Sequence, residues 1–460
     1  MREKVIVYGA GNNFIFSHYE LSQFYDCVGL VDGDINKLGT YVQGMTVQTI
    51  EDALANEYEF VVLTPANVEG ISSSLIEKGV PDDKIIDLQE AFDRIPEDSW
   101  HGAKHIEGVS GASKVGIILY GGMGDLLVAK LWLEKLIRIY ELDTTDIYLF
   151  LSNQNLRDAK LIFSDVVSEN NMQTIDDYSK VAAKGEYAIT LRFCIIPEVF
   201  EIRNTKSDLF DTKVGSYIRR LDEECSCNYN RGFFTTKNYC NTIRTYLVER
   251  NNKVYHTAYD IWSNLKAEPS DKTSTPLLNT NEGEYLAEVG LTGKKYITIN
   301  TGVNQEYSSK RNTREWDFNK WNDLAVTIKT LYPEVKVVQV GLKLKEADDI
   351  EADIHLNGKT NLEQISVVLK NAIFHIDYDG GLVHVNHMVG GKSIVLMGPS
   401  ETSNHAYHEN LYVSSGECEA CEWTTPDWLS RCPLGDAYPR CMKEITVEKV
   451  IDAISEFIER

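Results

Sequence analysis

Phe374-His375-Ile376-Asp377-Tyr378-Asp379-Gly380-Gly381-Leu382-Val383-His384 reads as a short apolar strand, a turn of small and acidic residues, and the first turn of a helix. A helix start presents unpaired N–H groups and a partial positive charge, and glycines let an anion approach that backbone closely. Gly380 and Gly381 are therefore suited to a diphosphate, with Asp379 before them and His384 within the first helical turn on the same side. The same grammar occurs twice earlier. Val115–Tyr120 runs into Gly121-Gly122-Met123-Gly124-Asp125 and an apolar helix from Leu126, and Val5–Tyr8 runs into Gly9-Ala10-Gly11-Asn12-Asn13-Phe14. Repeated strand–glycine turn–helix units predict an α/β protein built on parallel sheets.

Working outward, the first unit has strands at Val5–Tyr8, Cys27–Val31, Glu59–Thr64 and Ile85–Leu88, and spans residues 1–98. Residues 99–113 are polar and read as a linker. The second unit, 114–275, adds strands at Ile147–Leu151 and Ala188–Leu191, then a tyrosine-rich stretch of helical tendency from Asn204 to about Asp271. Glu268–Pro276 reads as the connection to a third unit, 276–460, with strands at Tyr296–Asn300, Val335–Gly341, Phe374–Asp377 and Ser393–Gly398. Thr360-Asn361-Leu362-Glu363 matches a capping box, and an amphipathic helix over Val447–Ile458 closes the chain. A length of 460 residues suits three such units.

Composition narrows the function classes. With 46 Lys and Arg against 69 Asp and Glu, the net charge of −23 disfavours binding to nucleic acid or to an anionic membrane surface. No apolar run is long enough for a transmembrane helix, and the N-terminus enters a strand at once where a secretory signal would need an apolar core, so a cytoplasmic location is expected. The nine cysteines are then expected to be mostly reduced thiols.

Individual residues carry candidate chemistry. Asp125 lies in the first turn of its helix, where the dipole and amide donors favour an ionised carboxylate that can take a proton from a hydroxyl. An ordinary capping aspartate is the alternative. The first glycine turn has Phe14 where a dinucleotide fingerprint has its third glycine, although Asp32 stands where a ribose-binding acid would. A structural or docking role for this unit is favoured over nucleotide binding. Cys418, Cys421, Cys432 and Cys441 suit a tetrahedral site for iron or zinc, structural because four thiolates leave no open position. Four reduced thiols are the alternative.

Taken in order, Gly121–Leu127, Arg311–Trp316 with Trp321, Thr360–Glu363, Asp379–His384 and Val395-Leu396-Met397-Gly398-Pro399-Ser400 resemble glycosyltransferase family 9, the ADP-heptose heptosyltransferases. The resemblance covers roughly Lys114 to the C-terminus. It implies a GT-B fold, two facing Rossmann-like domains with acceptor on the first and donor on the second, here preceded by a small Rossmann-like domain. It further implies an inverting reaction with Asp125 as the base, served by the glycine loop Gly121, Gly122 and Gly124. Arg314, Asp379, Gly380, Gly381 and His384 would form the donor site, with Glu346 as the ribose-contacting acid and no divalent metal needed for the chemistry. Arg314 stands where the family usually has lysine, and Gly380 where it has serine or threonine. The implied partners are a nucleotide-sugar donor, ADP-heptose first, and a glycan or protein acceptor; a homo-oligomer is compatible. Cysteine-rich segments recur in the family, iron-bearing in its adhesin-modifying members. The alternative is a GT-B binding or scaffold protein without turnover. A dehydrogenase reading lacks a Tyr-x-x-x-Lys constellation.

Overall fold

The computed structural model describes residues 2–65, 68–95, 104–105, 113–175, 177–178, 186–194, 196–203, 213–224, 281–302, 312–342, 349–405, 407–416, 418–425 and 428–459. These residues form three six-stranded sheets. No helix among them is long and apolar enough to cross a membrane.

The first sheet comprises β1 (Glu3–Tyr8), β2 (Tyr25–Val31), β3 (Tyr41–Val42), β4 (Met45–Gln48), β5 (Phe60–Leu63) and β6 (Ile85–Asp87) in the order β3-β4-β2-β1-β5-β6. Its pairs are parallel except β3 with β4. The second contains β7 (Lys104–His105), β8 (Lys114–Leu119), β9 (Ile147–Leu151), β10 (Met172–Thr174), β11 (Tyr187–Cys194) and β12 (Ile196–Ile202), ordered β10-β9-β8-β11-β12-β7. Only β11 and β12 run antiparallel there. β7 arises inside the polar 99–113 stretch, pairing Lys104 with Glu201 and His105 with Ile202. Two residues of backbone pairing leave no hydrophobic pattern for a sequence to display.

The third sheet is parallel throughout: β13 (Lys295–Asn300), β14 (Val335–Val340), β15 (Ile354–His355), β16 (His375–Tyr378), β17 (Ser393–Met397) and β18 (Leu411–Ser414), ordered β15-β14-β13-β16-β17-β18. Every residue of β16 and β17 is buried; β17 accordingly reads as a near-continuous apolar run, whereas β16 buries His375 and Asp377 among its apolar residues. Strand order reverses between β13 and β16. In such sheets ligands bind beyond the strand ends at the reversal, and the Asp379–Gly381 turn leaves β16 there.

The second and third units share one hydrophobic core. Leu126, Leu127 and Leu131 of the helix Met123–Tyr140 belong to the same buried cluster as Leu362, Ile365, Val385 and Met388 of the helices Leu362–Lys370 and Gly381–Met388. Each such side chain contributes about 1.5–3 kcal/mol on burial, so this contact holds the two glycine turns opposite each other. Together the two units form the GT-B arrangement, behind a small Rossmann-like unit.

One local expectation shifts by a residue. Asn361, not Thr360, caps its helix: the side-chain oxygen accepts from the Gln364 N–H at 2.9 Å, and Gln364 Oε1 accepts from the Asn361 N–H at 3.0 Å. Asparagine is at least as good a cap as threonine, and Gln364 completes the same three-residue spacing that Glu363 offered.

Candidate active site

The two glycine turns touch. A Cβ on Gly124 would lie 2.8 Å from Cδ2 and 3.2 Å from Nε2 of His384, and one on Gly381 would lie 3.7 Å from the Gly124 nitrogen. Asp125 therefore stands near the Asp379–His384 turn although the two come from different sheets. Gly121 takes a φ of +99°, a left-handed backbone that favours glycine, and its carbonyl accepts from Asn155 Nδ2 at 2.8 Å.

Asp125 does cap its helix, accepting the Gly122 N–H on Oδ2 at 2.8 Å. The expectation that the helix dipole and amides lower its pKa is corrected here. Burial raises Asp125 above the usual carboxylate range; the Gly122 amide, His405 and Arg314 oppose that rise, and Asp379 adds to it. The dipole argument omitted the desolvation that the facing unit imposes.

On the third unit, Arg314 donates from Nη1 to the Asp379 carbonyl at 2.8 Å and approaches Asp379 Oδ2 at 3.5 Å. Arg314 Nε is buried and has no hydrogen-bond partner among the described residues. The Ser400 hydroxyl donates to Asp379 Oδ2 at 2.7 Å, and His405 Nδ1 lies 3.9 Å from Asp379 Oδ1. Burial opposes ionisation of Asp379, yet His405, Arg314, the Ser400 hydroxyl and His384 overcome it and hold the carboxyl at about 2. Burial likewise disfavours a charged His405, but Asp379 and Glu422 outweigh it and raise the ring to about 10. His384 goes the other way, lowered by burial to about 4, with Nδ1 bonded to the Tyr407 hydroxyl at 2.6 Å. The helix Gly381–Met388 has no side-chain cap, so its first amides face the turn.

The structure thus gathers Gly121, Gly122, Gly124, Asp125, Arg314, Asp379, Gly380, Gly381 and His384 in one place. Glu346 and Arg311 lie outside the described residues. His405, Glu422 and Tyr407 escaped the sequence reading, whereas Ser400 was read as the close of the Gly398-Pro399-Ser400 run.

The four late cysteines converge. Burial, then the neighbouring thiols of Cys418 and Cys421, push Cys441 up to about 12, and Cys432 acts on both Cys418 and Cys441. Among the described residues, however, no three or more His, Cys, Asp or Glu side chains are arranged to hold a metal ion. In the N-terminal unit Phe14 fills the core where a third glycine would stand. Asp32 is engaged on both oxygens, by the Ala10 N–H at 2.7 Å, Lys37 Nζ at 2.9 Å and the Asp34 N–H at 2.9 Å.

Residues 225–427 match the family model of glycosyltransferase family 9 (heptosyltransferase), and residues 1–86 match a C2185-like N-terminal model. The family 9 match covers 203 of the 460 residues, less than half of the chain. Within its match fall Arg314, Asp379–His384, His405 and Glu422; Asp125 and its glycine loop precede it. The chain is similar to a family 9 structure from Veillonella parvula DSM 2008, at 15% identity and a TM-score of 0.47, covering 76% of this chain and 98% of that one. It is also similar to ADP-heptose lipopolysaccharide heptosyltransferase II of E. coli, at 14% identity and a TM-score of 0.45 over 75% of this chain and 98% of that one. The iron-containing dodecameric glycosyltransferase TibC of enterotoxigenic E. coli H10407 shares 14% identity at a TM-score of 0.46, over 76% of this chain and 77% of that one. No curated protein matches the chain.

Proposed function

We propose that the protein is an inverting glycosyltransferase that moves a sugar, heptose first, from an ADP-linked donor to a hydroxyl of a glycan or protein. What supports this is one arrangement. A carboxylate on the second unit faces a buried Arg314 Nε–H that has no partner among the described residues, and an uncapped helix start on the third.

The donor diphosphate would lie over the Gly380–Leu382 amides and take the free Arg314 N–H. The acceptor oxygen attacks the anomeric carbon as the bond to the diphosphate breaks. The bonding electrons leave with the nucleoside diphosphate, and the hydroxyl proton passes to Asp125. Arg314, the His405 imidazolium and the helix start stabilise the growing charge on the leaving group. Glu346 is proposed to contact the donor ribose. A raised Asp125 is a stronger base than an exposed carboxylate once ionised, so turnover should rise with pH through its titration.

The thiols of Cys418, Cys421, Cys432 and Cys441 have the soft chemistry that suits zinc or mononuclear iron, but among the described residues they are not arranged to hold one, so a bound ion would have to draw the loop together. A scaffold reading draws on Asp125 being already engaged as a cap. One assay separates the two: ADP release from ADP-heptose with and without candidate acceptors, for wild type and Asp125→Ala. Transfer that Asp125→Ala slows by at least about a hundredfold supports the proposal; wild-type protein that binds ADP but never turns over supports the scaffold.

A further inference from the structure

Glu422 directly follows Cys421 and is 3% exposed. Its N–H donates to the Pro399 carbonyl at 2.8 Å, and the Ala420 N–H donates to the Gly398 carbonyl at 3.0 Å. These two bonds, on either side of Cys421, lay the cysteine loop along the strand end that leads to Ser400. The fit is tight: a Cβ on Gly398 would lie 2.3 Å from Met442 Sδ and 3.3 Å from Cys441 Sγ.

From this anchorage Glu422 Oε2 bonds His405 Nε2 at 2.9 Å, and the opposite ring nitrogen of His405 faces Asp379. The same segment reaches the other side of the pocket. The Thr313 N–H donates to the Leu429 carbonyl at 2.9 Å and its hydroxyl to the Trp428 carbonyl at 2.8 Å, one residue before Arg314. Both cations beside Asp379 are therefore located through residues of the cysteine-bearing segment.

We infer that Glu422 is a positioning residue of the donor pocket: it holds the His405 imidazole against Asp379, so that Asp379 and Arg314 keep the geometry a diphosphate leaving group needs. This rests on the donor-site reading above. Glu422 touches no reacting atom; it acts through His405. The groups facing His405 are Asp379 and Glu422, which favour its charge, and Arg314, which opposes it; His384 stands close by. Without Glu422, one carboxylate alone must offset burial and Arg314, and the ring loses its proton at lower pH.

The test compares wild type, Glu422→Gln, Glu422→Asp, His405→Asn and the Glu422→Gln/His405→Asn pair. ADP binding is measured by calorimetry at pH 6.5 and pH 9, and the histidine rings are titrated by NMR. Glu422→Gln is expected to weaken ADP binding about tenfold at pH 9 and by about threefold or less at pH 6.5, with a lowered His405 midpoint. Glu422→Asp restores part of the loss, and in the His405→Asn background Glu422→Gln adds nothing. Equal losses at both pH values, an unmoved His405 midpoint, or additive effects in the double variant would overturn the inference. The double variant removes both charges together, so the comparison survives if Glu422→Gln alone folds poorly. A wild type that binds no nucleoside diphosphate defeats the donor-site reading itself, while the imidazole titration still decides whether Glu422 holds His405.

Discussion

Replacing Gly124 by alanine sets two effects of opposite sign against each other. Gly124 lies in the first turn of the helix Met123–Tyr140, where alanine is intrinsically favoured by about 1 kcal/mol. If the second and third units were separate at this point, Gly124→Ala would stabilise the protein. The structure argues the reverse. The new methyl would stand 2.8 Å from His384 Cδ2, and that ring has little freedom to yield: Nδ1 is bonded to the Tyr407 hydroxyl, and Tyr407 is itself stacked on His387 with centroids 3.8 Å apart. Overpacking of this kind costs about 1–3 kcal/mol. The strain falls on the contact between the units, so most of it should appear where the pocket closes on ligand. A cost near 2 kcal/mol corresponds to about thirtyfold weaker ADP binding or transfer. Calorimetry with ADP and a thermal melt, run on the same preparation, read the two contributions separately. A Gly124→Ala protein with a raised melting temperature and unaltered ADP affinity would refute the contact and the facing of the two turns.

Other outcomes follow from the same geometry. The Asp379 carboxyl sits at about 2 against an unfolded value near 3.8, so it contributes stability above about pH 4 that is lost as the pH falls toward 2. Asp379→Asn should flatten the acid limb of the stability curve by about 2 kcal/mol; a limb of unchanged slope contradicts the assignment. His384 is neutral in the fold, so its unfolded form takes up a proton first and stability falls as pH drops from about 6.5 to about 4; His384→Asn should remove that part of the slope in urea titrations. Purified protein should contain about one equivalent of zinc or iron, lost in Cys418→Ser/Cys421→Ser together with several degrees of melting temperature. Metal retained in full by that variant would remove the site.

The parts of the fold written in local chemistry were readable. The turns Gly121–Asp125 and Asp379–His384 announce themselves because a strand end, small residues and a helix start lie consecutively in the chain. The all-buried strand β17 reads as a near-continuous apolar run. What stayed hidden depends on contacts far apart in sequence. His405 belongs to a four-residue helix with no motif around it, and its role comes from Asp379 and Glu422, 26 residues before and 17 after. Asp125 shows its helix dipole in the sequence but not the facing unit that desolvates it. Asp32 sits where a ribose ligand would, yet only the structure reveals Lys37 and two backbone amides already occupying both its oxygens.

A diphosphate is proposed to bind where the third sheet reverses its strand order, gripped by Arg314 and the Gly380–Gly381 backbone opposite Asp125. A crystal structure with bound ADP tests it most directly. Phosphate oxygens within hydrogen-bond distance of Arg314 Nε and the amides after Gly380, on the side facing Asp125, are the predicted result. ADP seated instead at the Gly9–Phe14 turn of the N-terminal unit, with the Arg314 pocket closed by side chains, would contradict it.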